Sequence, residues 1–153
     1  VLDMHSHPDS VIMEKLIDYQ WKNHSIAAAI IDSNGEILAM GTTTVNESND
    51  PTAHAEINAI RKACTLVNSP KLPKGCWLYS TFEPCPLCSS AIIWAGIDGV
   101  VYANNPLYRG NEENWSFISC EQVLSNGAYI HKTSLIKDFM LDSIKGYFTR
   151  HDK

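Results

Sequence analysis

The chain has 153 residues, the size of one ordinary domain, and a hydrophobic content of 44% can fill one continuous core, so a single domain over 1–153 is expected. Its formal net charge is -5 with no window dense in Lys or Arg, which argues against a protein that clamps a phosphate backbone. The longest apolar stretches, Ile26 to Ile31 and Ala91 to Ile97, fall far short of the roughly 20 residues that cross a bilayer, so no membrane span is expected.

In chain order, Val1 to Ser10 lack the basic-then-apolar layout of a secretory signal and read as an ordinary or appended terminus, which points to a cytoplasmic location. Asp9 to Trp21 carry Ile12, Leu16, Ile17 and Tyr19 or Gln20 at helical spacing and predict a leading amphipathic helix. Ile26 to Ile31 and Glu36 to Met40 flank Asp32-Ser33-Asn34-Gly35, and Asn-Gly between two apolar runs predicts a hairpin. Asp50-Pro51 offers an N-cap followed by proline at a first helical position, and Ile57, Ile60, Cys64 and Val67 form an apolar stripe up to Asn68-Ser69-Pro70. Beyond it the sequence reads as a strand from Cys76 to Thr81, a helix from Cys85 to Ala95 closed by Gly96, and a strand from Gly99 to Ala103. A helix around Trp115 to Leu124, a strand from Ala128 to Thr133 and a final helix from Ser134 to about Phe148 follow. Such alternation implies parallel pairing with right-handed crossovers, hence a five-stranded mixed sheet in an α/β/α sandwich whose first two strands are antiparallel.

The chemistry concentrates in His54-Ala55-Glu56 and Pro84-Cys85-Pro86-Leu87-Cys88, each opening a helix. Among five cysteines, a C-x-x-C in a reducing compartment points to metal or redox chemistry rather than to disulfides. Cys85 and Cys88 stand three apart, so on a first helical turn both sulfurs face one way, and the positive end of the helix favours thiolate. A crossover of about thirty residues can bring the start of the His54 helix alongside. One His and two Cys suit Zn²⁺ and leave its fourth tetrahedral position for water, whose pKa zinc lowers to about 7. A fourth protein ligand would displace that water, so Glu56 is assigned proton transfer instead. The remaining histidines, His5, His7, His24, His131 and His151, lack partners at metal spacing and read as surface residues. Trp77 and Trp94 fall inside regular elements and read as core, whereas Trp115, near a loop, is the aromatic placed to lie over a substrate.

This pattern, H-A-E followed by P-C-x-x-C, resembles the signature of the cytidine-deaminase-like zinc deaminases. The resemblance runs through Asp50-Pro51-Thr52-Ala53-His54-Ala55-Glu56-Ile57, Ala59-Ile60-Arg61 and Glu83-Pro84-Cys85-Pro86-Leu87-Cys88. It spans about half the chain and is nearest in wording to bacterial guanine deaminases and tRNA adenosine deaminases. It implies Zn²⁺ on His54, Cys85 and Cys88, Glu56 as proton shuttle, and backbone at Ala55 and Glu83 holding the reacting ring and its amino group. A helix-then-strand continuation after Ala103 makes the fifth strand parallel, as in the purine and tRNA branches. Glu113-Asn114-Trp115 is similar to a stretch of some guanine deaminases that also act on aminotriazines, which implies substrate contacts by Glu113 and Trp115. Relatives place an asparagine at the position of Thr43, against the substrate ring. Threonine cannot reproduce a paired donor and acceptor, so Thr43 bears on substrate choice. Relatives also form dimers in which a neighbour's C-terminal segment helps close the site, which implies a homodimer.

The expected activity is hydrolytic deamination of a small nucleobase or nucleoside, most naturally a purine, with release of ammonia. Three other readings use the same residues. A tRNA adenosine deaminase keeps the catalytic set but calls for a basic surface. A structural zinc knuckle needs a fourth ligand, and Cys64, Cys76 and Cys120 belong to an apolar stripe, a strand and a helix. A catalytically idle zinc-binding module serving a protein partner is the third, and a redox-active C-x-x-C stands beside the zinc knuckle as the other non-catalytic reading.

Overall fold

The computed structural model describes residues 5–103 and 117–144. Helix α1 (Ser10–Asn23) starts where the Asp9 carboxylate accepts the Val11 and Ile12 amides, and it ends at His24 in the left-handed conformation. Strands β1 (Ala27–Ile31) and β2 (Ile37–Thr42) form the expected antiparallel hairpin. Asp32 Oδ1 accepts the amides of Asn34 and Glu36 across its turn. A one-turn helix α2 (Val45–Ser48) precedes α3 (Ala55–Val67), followed by β3 (Trp77–Ser80), α4 (Pro86–Trp94) and β4 (Gly99–Tyr102). Helix α5 (Cys120–Asn126), β5 (Ser134–Ile136) and α6 (Leu141–Ile144) complete the described chain.

The sheet has five strands in the order β2-β1-β3-β4-β5. Strand β1 is antiparallel to both β2 and β3, whereas β3, β4 and β5 run parallel. Alternation along the strands divides the core in two. Ala28, Ile30, Leu78, Val100 and Tyr102 face α3, α4 and α5, and Ala27, Ala29, Ile31, Tyr79 and Val101 face α1. The ends of β2, β3 and β4 therefore lie on one side of the sheet with the starts of α3 and α4, where a site in an open α/β sheet is expected.

Five expectations are corrected. Asp50-Pro51 does not open α3, because Asp50 Oδ1 is taken by the amide and hydroxyl of Thr52 in a local turn and the helix starts only at Ala55, with His54 as N-cap. The sheet-facing stripe of α3 is Ala55, Ala59 and Ala63, and the larger Ile60, Cys64 and Val67 flank it, half-buried. Small residues are required because β2 and α3 meet backbone to backbone: a Cβ on Gly41 would lie 2.5 Å from the Ala55 oxygen and 2.6 Å from the Ala59 nitrogen. Residues 128–130 lie in a turn and 131–133 form no regular element, since the chain reverses at Gly127, where the amides of Ile130 and His131 bond its carbonyl. The chain reaches the sheet only at Ser134, so β5 and the short α6 occupy the span expected as a final helix, whose residues 145–148 lie outside the described residues. Finally, Trp94 is 63% exposed on the outer side of α4, whose inner side is formed by Cys88, Ser89, Ile92 and Ile93.

Candidate metal and active site

His54 is the N-cap of α3, Cys85 the N-cap of α4, and Cys88 sits one turn into α4. Both caps have extended backbone, which turns their side chains outward from the helix start. The two starts are neighbours, and three ligand atoms close a triangle. His54 Nδ1 lies 3.4 Å from Cys85 Sγ and 3.5 Å from Cys88 Sγ, and the two sulfurs are 3.7 Å apart. Tetrahedral zinc, with bonds of about 2.3 Å to sulfur and about 2.0 to 2.1 Å to nitrogen, requires edges of about 3.8 Å between sulfurs and about 3.5 Å between sulfur and nitrogen. The triangle therefore has the size of a zinc site with one position left over. Among the described residues this is the group of His, Cys, Asp and Glu side chains that could hold an ion.

Of the three side chains, only Cys85 is already held in the form that a metal takes. Cys85 is held down at about 4, first by the Cys88 thiol, with His54 and the Cys88 amide adding to it against burial. Cys88 is pushed up, first as the donor to Cys85 and then by burial. The pair thus shares one proton, which a coordinated dication displaces. The amide of Ile57 in α3 also donates to the Cys88 sulfur, so the start of α3 helps hold a side chain of α4. His54 is raised, first by its contact with Cys85, against burial. Its ring also bonds the Pro51 carbonyl, and with Nδ1 turned to the sulfurs this sets the tautomer whose Nδ1 lone pair can take a metal. Pro51 therefore matters through its carbonyl rather than as the first residue of a helix.

Glu56, in the first turn of α3, is only 5% exposed. Burial pushes its carboxyl up to about 7; its own amide, the His54 charge and a Ser80 hydroxyl at the end of β3 oppose that, while Cys85 reinforces it. A buried carboxyl that feels both His54 and Cys85 stands beside the triangle without joining it.

The sequence matches the family described as the cytidine and deoxycytidylate deaminase zinc-binding region over residues 8–104. The chain belongs to this family. It is 51% identical over 75 residues to the guanine deaminase of Bacillus subtilis (strain 168), covering 49% of this chain and 47% of that protein. It is 45% identical over 75 residues to the tRNA-specific adenosine deaminase of Aquifex aeolicus (strain VF5), covering 49% of each. The chain thus aligns with about half the length of these relatives. Its fold superposes on a structure from work on A-to-I editing by tRNA:A34 deaminases with a TM-score of 0.73 and 27% identity, over 91% of this chain and 99% of that one.

In this member of the deaminase family, Thr43 follows the last residue of β2, is half-buried, and has its amide bonded to the Ser25 hydroxyl at 3.2 Å. Ala55 is fully buried at the first position of α3, a turn whose amides have no intrahelical acceptor. The Glu83 carboxylate accepts the Cys120 amide at 3.0 Å, tying the P-C-x-x-C segment to the start of α5. Glu113 and Trp115 lie outside the described residues. Ser80, the Pro51 carbonyl and the Glu83 side chain carry no signal in the sequence, because each acts through a neighbour that only the fold supplies. His7 is not a simple surface residue. It bonds the Tyr79 hydroxyl and stacks on Trp77, and burial lowers its pKa to about 4.

Proposed function

We propose that the chain catalyses zinc-dependent hydrolytic deamination of a small nucleobase or nucleoside, a purine such as guanine before other bases. The observation that carries this reading is the zinc-sized triangle of His54, Cys85 and Cys88 with a buried carboxyl, Glu56, beside it. When bound, zinc polarises a water at its open position and lowers the pKa of that water to about 7. Glu56 takes a proton from that water and delivers it to the ring nitrogen next to the amino-bearing carbon. The oxygen of that water bonds to the amino-bearing carbon, and Glu56 then takes its remaining proton and passes it to the amino group, whose bond to the carbon breaks as it leaves as ammonia, so that one water is consumed and a ring carbonyl replaces the amino group. Burial of Glu56 keeps bulk water from competing for that proton. Thr43, the backbone at Ala55 and Glu83, and the side chains of Glu113 and Trp115 are assigned to substrate contact.

The similarity to tRNA adenosine deaminases supports a second substrate, an adenosine in an RNA hairpin. The net charge of -5 weighs against it, because RNA binding gains its affinity from neutralised phosphates. Ammonia release by the zinc-loaded chain from guanine, adenine, cytosine, their nucleosides, aminotriazines and an anticodon hairpin separates these readings. Turnover of a purine base and none of the hairpin is the expected result. Turnover of the hairpin alone replaces the base reading, and zinc binding without any turnover leaves an idle module.

A further inference from the structure

Asn58 lies one turn beyond His54 on α3, and its side chain reaches back across the loop that joins β2 to α3. Its amide nitrogen donates to the Thr42 carbonyl at 2.7 Å and the Thr44 hydroxyl at 2.9 Å, and lies 3.3 Å from the Ala53 carbonyl. The first two contacts use both protons of the amide, and the amide oxygen accepts from Arg61 at 3.1 Å. The two strong acceptors flank Thr43, whose own amide is held by Ser25. The Thr44 amide bonds the Ala53 carbonyl at 2.9 Å, so the loop is closed at its base. One side chain thus joins the end of the loop that carries Thr43 to the end that carries His54. A second observation points the same way. Gly41 lets β2 lie against the first turn of α3, where a Cβ would meet the backbone at 2.5 Å, so the loop starts from a fixed contact with the ligand-bearing helix.

We propose that Asn58 is a positioning residue for substrate recognition, acting through Thr43 by fixing its place relative to the metal triangle; this rests on the deaminase reading above. An amide suits the position because it turns two donors towards acceptors and its oxygen towards a guanidinium. A carboxylate would face the Thr42 carbonyl with like charge, and an alanine would leave both ends of the loop untied.

The test uses the zinc-loaded full chain and measures kcat and KM for the best base of the panel, with inhibition constants for the other bases. Asn58→Ala is expected to raise KM and shift the preference between bases by about tenfold, because small displacements of a substrate contact cost more than its own bonds. Zinc content and kcat per bound zinc are expected to stay within about threefold, since His54, Cys85, Cys88 and Glu56 are untouched. A merely structural role would lower the yield of active protein and leave the preference unchanged. In a Thr43→Ala background the shift caused by Asn58→Ala is expected to vanish, as it must for residues acting through one another. Thr44→Val, which removes one of the two acceptors at nearly constant volume, gives a smaller shift in the same direction and carries the test if Asn58→Ala does not fold. An active wild type whose preference survives in the folded variants overturns this proposal alone, as does a shift that persists undiminished without Thr43. A wild type that deaminates nothing overturns the deaminase reading and this proposal with it.

Discussion

At the scale of single residues, substitutions at Glu56 and Cys88 test the proposed proton transfer and the proposed metal binding separately. Glu56→Gln keeps nearly the same volume but cannot take and return a proton. General acid–base help is worth about 10²- to 10⁴-fold, and one group serving two transfers places the loss at or above the upper end. Zinc content, measured by metal analysis, is expected to stay at about one per chain, because Glu56 is outside the triangle. A Glu56→Gln protein that lost its metal would make Glu56 a ligand, and one that kept its rate would remove it from the reaction. Cys88→Ala has the opposite signature, loss of both zinc and turnover. Thr43→Asn is the third probe. It is expected to change relative rates across the bases without changing zinc content, and uniform rates before and after would remove Thr43 from the site.

At the scale of elements, the contact between β2 and α3 decides how far His54 stands from β3. Gly41→Ala forces a methyl against the backbone of Ala55 and Ala59 and is expected to destabilise the chain by about 1 to 3 kcal/mol, measured by denaturant unfolding. A variant as stable as wild type would show that α3 can retreat without cost. This contact also explains what the sequence could and could not convey. The hairpin and the start of α4 follow from turn residues and spacing, which are local signals, whereas the Asp50-Pro51 cap and the strand expected at Ala128 to Thr133 were local signals that the fold overrode. The apolar stripe of α3 was misplaced because periodicity favours the large Ile60 and Cys64, while the sheet selects the small Ala59 and Ala63 that permit close approach. The Glu83 bond to Cys120 spans 37 residues and had no local signal at all. The segment before α1 is docked by a comparable long-range contact. His7 stacks on Trp77 and bonds the Tyr79 hydroxyl, with His5 and Asp9 as its titratable neighbours. Burial lowers its pKa from 6.5 to about 4, so the stability that neutral His7 lends to docking is fully present above about 6.5 and is lost as the pH drops towards about 4. Hydrogen exchange of residues 5–9, corrected for intrinsic rates, is expected to speed up over that window, and His7→Gln to flatten the dependence.

At the scale of the whole molecule, the metal is a cross-link between two halves of the chain. His54 belongs to the unit of β2 and α3, and Cys85 and Cys88 to the unit of β3 and α4. An ion held by all three binds the folded chain in preference to the unfolded one, so its free energy adds to folding by mass action, about 4 kcal/mol at a thousandfold excess over Kd. For a chain of about 150 residues each kcal/mol moves Tm by about 2 to 4 °C, so chelation is expected to lower Tm by about 10 °C. Secondary structure at room temperature should survive, because neither core cluster includes His54, Cys85 or Cys88. Thermal unfolding followed by circular dichroism, with chelator and then with zinc restored, checks both expectations. Cys88→Ala supplies the control: its Tm should no longer respond to chelator or zinc. A wild-type Tm indifferent to chelation, in protein shown to have lost its zinc, would mean that the ion does not join the two units, and the triangle would not be its site.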